Sequence, residues 1–338
     1  MEEEIIMTIK FNRRTMLKLS GGSLAAAAVA SPGILHAQAG YPSRPINVVV
    51  PFDTGGYNDR LARAFAPFLG ERLGQPLNII NRGGAGALLG HSYFMQQPDD
   101  GYTILCTSAA PYLPLNVLTQ NAPFVVADFH MLNLPSRDYT MLATSTDSGI
   151  TSITEVIDQL KADPSSLTIG IQPASADLVN LMLMVDSVGI DRDGLRLVTY
   201  DGGGPARNAV AGNVVDIALV GGQGFLPLAD KIVPLMIFDD AKRDIWDSAI
   251  VTEVAPGAEF VSGSQRGWAV HSSLVEGSPE IYQTILNAVE ETSKDPKVIE
   301  SLSSAQLATD WFGPEVSNTS LRATAAVMEK HLDLLQGS

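Results

Sequence analysis

Short apolar runs alternate with stretches of helical spacing along most of this chain, and that alternation limits its fold more than any other feature. Residues 46–52 (INVVVPF) form a continuous apolar run of strand length. In 59–73, Leu61, Ala64, Phe65, Phe68 and Leu69 share one helical face. Residues 76–81 predict a second strand, 85–97 a second helix and 103–107 a third strand. The order then restarts. Helices are predicted at 153–162, at 177–188 and from Pro205, with strands at 167–171, 195–200, 216–220 and 232–238. A short strand at 267–270 precedes helices at 279–293, 298–304 and 315–335. Strands that are apolar throughout, without in–out alternation, are buried on both faces, which is the mark of parallel sheets covered by helices.

The restart implies two α/β lobes. Crossings between them are expected around 139–145 and 261–266, giving a first lobe of 41–140 plus 265–338 and a second of 141–264. Two lobes joined by two crossings enclose a cleft that closes by hinge motion.

Residues 1–39 read as a cleavable export signal. Asn12-Arg13-Arg14-Thr15-Met16-Leu17-Lys18 precedes a weakly apolar run, 19–35, and then Ala37-Gln38-Ala39. Adjacent arginines before a mild apolar core indicate the twin-arginine type, and hence a periplasmic protein. The competing reading, a membrane anchor, is disfavoured because 19–35 is short and holds Gly21, Gly22, Pro32 and Gly33. Acidic residues in 1–6 are unusual for such a leader; initiation at Met7 removes them.

Removing the leader leaves about 300 residues, a two-domain length. The chain carries a net charge of −15; the leader is +1, so the remainder carries −16. Nucleic acid and anionic membranes therefore repel it. A small anion can still bind where helix N-termini present partial positive charge. Cys106 is the only cysteine, so no intramolecular disulfide forms. It lies in a predicted buried strand and reads as an inert core thiol.

Three glycine-rich turns follow predicted strands and precede helices: residues 51–59 (PFDTGGYND), 81–87 (NRGGAGA) and 200–205 (YDGGGP). Pro205 suits a first helical position. Glycines let the backbone approach a ligand, and ligands of parallel sheets bind at strand carboxyl ends. Each turn alone could be a plain connection; three across both lobes favour a shared anion-binding cleft. Gly84-x-Gly86-x3-Gly90 follows the wrong strand for a dinucleotide fingerprint, and no acidic residue follows for a ribose. His91, His130, His271 and His331 lack metal-ligand spacing, and His331 is expected on the surface of the last helix. No nucleophile elbow is present. No cofactor and no metal are expected.

At these turns the chain resembles the Bug/TctC family, the periplasmic solute-binding proteins of tripartite tricarboxylate transporters. The resemblance rests on Tyr41-Pro42-Ser43-Arg44-Pro45-Ile46, Val50-Pro51-Phe52-x-x-Gly55-Gly56-x-x-Asp59, Leu73-Gly74-Gln75-Pro76 and Asn81-Arg82-x-Gly84-Ala85-Gly86. Asp99-Asp100-Gly101-Tyr102-Thr103, Tyr200-x-Gly202-x-Gly204-Pro205-Ala206 and Gly212-x-Val214-x-Asp216 complete it. It implies an α/β two-lobe periplasmic-binding-protein (Venus flytrap) fold, each lobe a mostly parallel sheet flanked by helices. It implies a receptor, not an enzyme, that holds a small carboxylate and hands it to integral membrane subunits. Carried over by position, Phe52, Thr54, Gly55, Gly56, Asn58, Gly84, Ala85 and Gly86 hold a ligand carboxylate. Pro173, Ala174, Ser175, Tyr200, Gly202 and Gly203 read the rest of the ligand. Ser108, at the end of the third strand, joins the candidates, and a monomer is expected.

Four positions depart from the family pattern. Asp53 stands where a small residue or proline is usual, Gly83 replaces a common proline, Asp201 replaces a basic or neutral residue, and Asp177 a histidine or other polar residue. Added carboxylates disfavour a trianion such as citrate by like-charge repulsion. A monocarboxylate or dicarboxylate is expected, with an amino-bearing ligand pairing to Asp53 or Asp201. Two other functions remain open at this level: a receptor for a periplasmic signalling partner and, against the missing catalytic patterns, an exported enzyme.

Overall fold

The computed structural model describes residues 40–172, 175–200 and 202–336. The leader and its export signal lie outside the described residues, as do Pro173, Ala174 and Asp201.

Two sheets carry the architecture. The first half builds β1 (Ile46–Val50), α1 (Tyr57–Leu73), β2 (Leu77–Asn81), α2 (Leu88–Met95), β3 (Thr103–Ser108), α3 (Ala109–Thr119) and β4 (Phe129–Arg137). The middle builds β5 (Thr140–Ser145), α4 (Ile153–Ala162), β6 (Thr168–Ile171), α5 (Ala176–Val188), β7 (Arg196–Thr199), α6 (Gly203–Ala211), β8 (Ile217–Gly221), β9 (Ile232–Phe238), β10 (Ala249–Ile250) and α7 (Val251–Val254). The chain then returns through β11 (Gln265–His271) to α8 (Ser272–Gly277), α9 (Pro279–Lys294), α10 (Pro296–Ser304), α11 (Gly313–Lys330) and α12 (Leu332–Gln336). One sheet has the order β2-β1-β3-β11-β4 and the other β10-β9-β5-β8-β6-β7.

Each sheet is parallel except for one interior strand. β11 runs antiparallel to both β3 and β4, and β5 antiparallel to both β8 and β9. These are the two strands by which the chain enters the second sheet and returns to the first. The carboxyl ends of β1, β2, β3 and β4 therefore share an edge with the start of β11. The carboxyl ends of β6, β7, β8 and β9 share theirs with the start of β5.

Local sequence accounts for the helices. In α1 the buried Leu61, Phe65, Leu69 and Leu73 recur every fourth residue, and Gly74 ends the helix at φ 69° with its N–H on Glu71 O and Gly70 O. In α4 the Ser152 hydroxyl accepts the Glu155 N–H, while Glu155 accepts from Thr151 N–H. Trp268 and Phe65 stack at 4.9 Å in the first core, and Leu142, Ile169, Ile171 and Met236 lie in the second.

Several expectations change. Residues 140–145, read as part of a crossing, are an interior strand. Its hydroxyls are satisfied inside: Thr140 Oγ1 donates to Asp177, and Thr144 Oγ1 to Asp216 O. The chain passes between sheets at Asp138, whose N–H donates to Ser264 O at 2.8 Å, so the two crossings pair with each other. Gly263 permits that approach: a Cβ there would lie 2.5 Å from Asp138 O and 2.7 Å from Tyr139 Cα. The second helix starts at Leu88, not 85, because Gly84, Ala85, Gly86 and Ala87 all have positive φ. α6 opens at Gly203, which places Pro205 third rather than first. The last predicted helix breaks at His331, which is only 22% exposed at its side chain and meets Glu259 at 2.9 Å. α12 lies against α5, where Leu335 and Met328 cluster with Ala176 and Val179.

Candidate functional site

A cavity of about 200 Å³ opens where the carboxyl edges of the two sheets meet. From the first sheet's side come Pro111, Tyr112 and Leu115 at the start of α3, with Arg266 from β11. From the other side come Gln172, Ser175, Ala176 and Asp177 around the start of α5, Gly203 and Arg207 on α6, and Gly221 at the end of β8. Asp138 and Ser264, on the crossings, close the floor.

Four charges share this space, and their engagement differs. Asp138 is committed. Its Oδ1 accepts the Tyr139 and Gln223 N–H groups, and its Oδ2 the Arg266 guanidinium at 3.2 Å. Arg266 also donates to Ser136 Oγ and sits 4.8 Å over the Tyr57 ring. Arg207 donates from Nη1 to Gly221 O at 3.0 Å. Burial lowers its affinity for a proton, against the pull of Asp138 and Asp177. Room for this guanidinium comes from Gly203 and Gly224, since a Cβ at either would strike it. Gly203 thus serves the site through Arg207.

Asp177 lies in the first turn of α5, where the helix dipole favours a carboxylate. Its Oδ1 accepts the Thr140 hydroxyl at 2.5 Å. Burial outweighs this and pushes its pKa up to about 7, with Asp138 adding to the rise and Arg207 and Arg266 opposing it. In the unfolded chain the group titrates near 4. Between pH 4 and 7 the folded state therefore holds a proton that the unfolded state has lost, so this group's contribution to stability falls as pH rises. His91 acts in the opposite sense. It is buried between Asn116 Oδ1 and Thr107 Oγ1, and burial depresses it to about 4. Its contribution is complete above pH 6.5 and is lost on acidification towards 4. Asp177→Asn should become more stable relative to the parent by about 1.4 kcal/mol per pH unit between pH 4 and 7. Urea denaturation of both proteins at pH 4.5 and 6.5 measures this, and a pH-independent difference contradicts the assignment.

Of the expected ligand residues, Ser175 and Gly203 line the cavity. The Ser175 hydroxyl is engaged as the helix cap, accepting from Leu178 N–H and donating to Gln172 O. Phe52 touches the cavity through Tyr112, its ring 5.2 Å away edge-on. Asn58 is buried and donates from Nδ2 to Ser108 Oγ, while its Oδ1 has no partner. Ser108 pairs in register with Arg266, which brings both residues beside that arginine. Asp53, Thr54, Gly55, Gly56, Gly84, Ala85 and Gly86 form exposed turns beside this edge, outside the cavity lining. The Gly55 N–H is already donated to Asp59, whose buried carboxylate also takes Arg63 and Asn81. Those bonds hold Asp59 below its ordinary range despite burial, which alone would raise it. Gly86 O accepts from Asn116, which His91 braces. Tyr200 packs partly buried against the second sheet's core and Gly202 precedes α6; neither lines the cavity.

Two of the unusual residues explain each other. A Cβ at position 83 would collide with the Asp53 carboxylate, so glycine there makes room for the aspartate. Arg207, Arg266 and Asp138 were not among the expected residues. Arg207 carried one usable signal: it lies four residues after Gly203, on the same helix face as the turn. Cys106 is fully buried, and burial raises its thiol far above the usual range. Among the described residues no group of three or more His, Cys, Asp or Glu is placed to hold a metal ion.

The sequence model described as the tripartite tricarboxylate transporter family receptor matches residues 61–320. BugT of Bordetella pertussis is 30% identical over 209 residues, which span 60% of this chain and 62% of BugT. The crystal structure of a TctC solute-binding protein from Polaromonas superposes with a TM-score of 0.72 at 20% identity, covering 88% of this chain and all of that one. R. palustris Rpa4515 with adipate gives 0.67 at 23% identity, covering 88% and 98%.

Proposed function

This chain belongs to the tripartite tricarboxylate transporter receptor family, and we propose that it captures a small carboxylate between two lobes and delivers it to the membrane subunits of such a transporter. The lobes divide at the crossing, 41–138 with 265–338 and 139–264, since Thr140 pairs with Gly221 in the second sheet. The protein works in the periplasm as a non-enzymatic monomer, after export by a twin-arginine-type signal. The observation that carries the reading is the small cavity at the meeting of the two carboxyl edges, bordered by Arg207 and Arg266. Partly buried, hydrogen-bonded arginines are well matched to carboxylates. Adipate in a related fold supports a dicarboxylate. Asp177 and the committed Asp138 disfavour a trianion. Phe52, Asn58 and Ser108 complete the first-lobe side, and the exposed turns at 53–56 and 84–86 close over the ligand as the lobes approach. Pro173, Ala174 and Asp201 remain candidates from the sequence, outside the described residues.

Mass spectrometry of small molecules released from protein purified without refolding tests the reading. A bound monocarboxylate or dicarboxylate agrees with it; a sugar, a cation or a tightly held citrate contradicts it.

Gly224→Ala separates binding from folding. The new methyl overlaps the Arg207 guanidinium, the flexible end of a long side chain, so that side chain moves and the fold does not. Adipate affinity should fall about tenfold, as for the loss of one well-placed charged hydrogen bond, with thermal unfolding shifted by no more than about 2 °C. Calorimetry and a melting curve on one preparation read both.

A further inference from the structure

Asp177 is unlike the other charges of the cleft. Asp138 takes three donors, Arg266 is paired to it, and Arg207 is bonded to Gly221 O. Asp177 has the Thr140 hydroxyl alone, which Asn180 Nδ2 braces from behind. Arg207 from α6 and Arg266 from β11 act on it only through longer-range attraction, and Asp138 from the crossing repels it. Among the described residues no histidine lines the cavity.

Resting on the receptor reading above, we propose that the cleft takes up its carboxylate together with one proton, held on Asp177 and donated to a ligand oxygen. A ligand carboxylate entering about 200 Å³ becomes the third negative group in that space. Two arginines oppose the three, and one of them is already neutralised by Asp138. Carboxylates confined this closely do not all ionise; one keeps a proton and becomes a donor to its neighbour. Asp177 is the group placed to do so. Its environment already disfavours the charged form, and its position at the start of α5 puts it on the wall facing Tyr112 and Arg266. The proton comes from solvent and returns there on release. An aspartate that held a ligand ammonium would behave oppositely, since it must stay ionised.

The sign of the pH dependence decides between these. Isothermal titration of the leaderless protein with adipate, malonate and L-aspartate, from pH 5.5 to 9 in buffers of different ionisation heat, is the test. The dicarboxylates should bind most tightly below pH 7 and weaken by up to about tenfold per pH unit above it. About one proton should be taken up per ligand at pH 8. Asp177→Asn keeps a donor but cannot titrate, so its slope and proton uptake should vanish. Affinity that is flat or rises with pH, or a slope that persists in Asp177→Asn, overturns the proton-linked capture while leaving the receptor reading in place. Absence of binding by all three probes at every pH overturns both.

Discussion

Arg207→Met should weaken carboxylate capture at least about 30-fold and leave the protein folded. Methionine loses the guanidinium, whose carbon lies 5.9 Å from the Phe225 ring, but Ala206, Ala209 and Val210 of α6 share a core cluster with Phe225, so the packing of α6 is largely kept. The lost guanidinium leaves Gly221 O without its donor and the cleft with a single arginine, already tied to Asp138. Removing one partner of a desolvated charge pair costs about 2–5 kcal/mol, so affinity for a dicarboxylate should fall at least about 30-fold. Stability should fall by no more than about 1–3 kcal/mol, the cost of leaving Gly221 O without its donor. Arg207→Lys should restore only part of the affinity, since an ammonium cannot reproduce the planar fork. Calorimetry on the three proteins checks the order; equal affinities would show that the ligand sits elsewhere.

Gly263→Ala should strongly disrupt the crossing region. Its Cβ would meet the backbone of the opposing crossing at Asp138 O and Tyr139 Cα, neither of which is the end of a flexible side chain. Relief requires the two crossings to separate, breaking the Asp138 N–H to Ser264 O bond. It would also shift Asp138, which joins the return strand to the second sheet through Arg266 and Gln223. Overpacking against fixed backbone costs about 3 kcal/mol, or a fall in melting temperature of roughly 5 °C for a chain of this size. Ligand affinity should drop as well, because the cleft floor moves. A melting curve within a degree or two of the parent would show that the crossings are free to part.

The fold was legible wherever a segment is apolar on its own terms. Residues 46–50 and 232–238 read as strands because nearly all their side chains are apolar and most of them are buried. β4 was not legible. His130, Asn133, Pro135 and Arg137 interrupt it, and several of its polar groups find partners on α11 and the residues just before it, with His130 reaching Tyr282 on α9. Asn133 accepts from Phe312 N–H and donates to Asp310 O, and Leu134 N–H donates to Ser317 Oγ. No local pattern announces partners that far along the chain. α3 was hidden by Pro111 and Pro114, which read as breakers; Pro111 stands in its first turn, next to a non-helical Ala110. The glycine turns were visible, because their conformational demands are local. Arg207 and Arg266 were not singled out, because each is an ordinary lone arginine until the return of the chain through β11 sets them on one cavity.

The most direct measurement is a crystal structure of the leaderless protein with the ligand that co-purifies with it. The account predicts a carboxylate seated between the start of α3 and the start of α5, with an oxygen within hydrogen-bonding distance of Arg207 and another against Asp177. A ligand bound away from this cavity, or one without a carboxyl group, would contradict it.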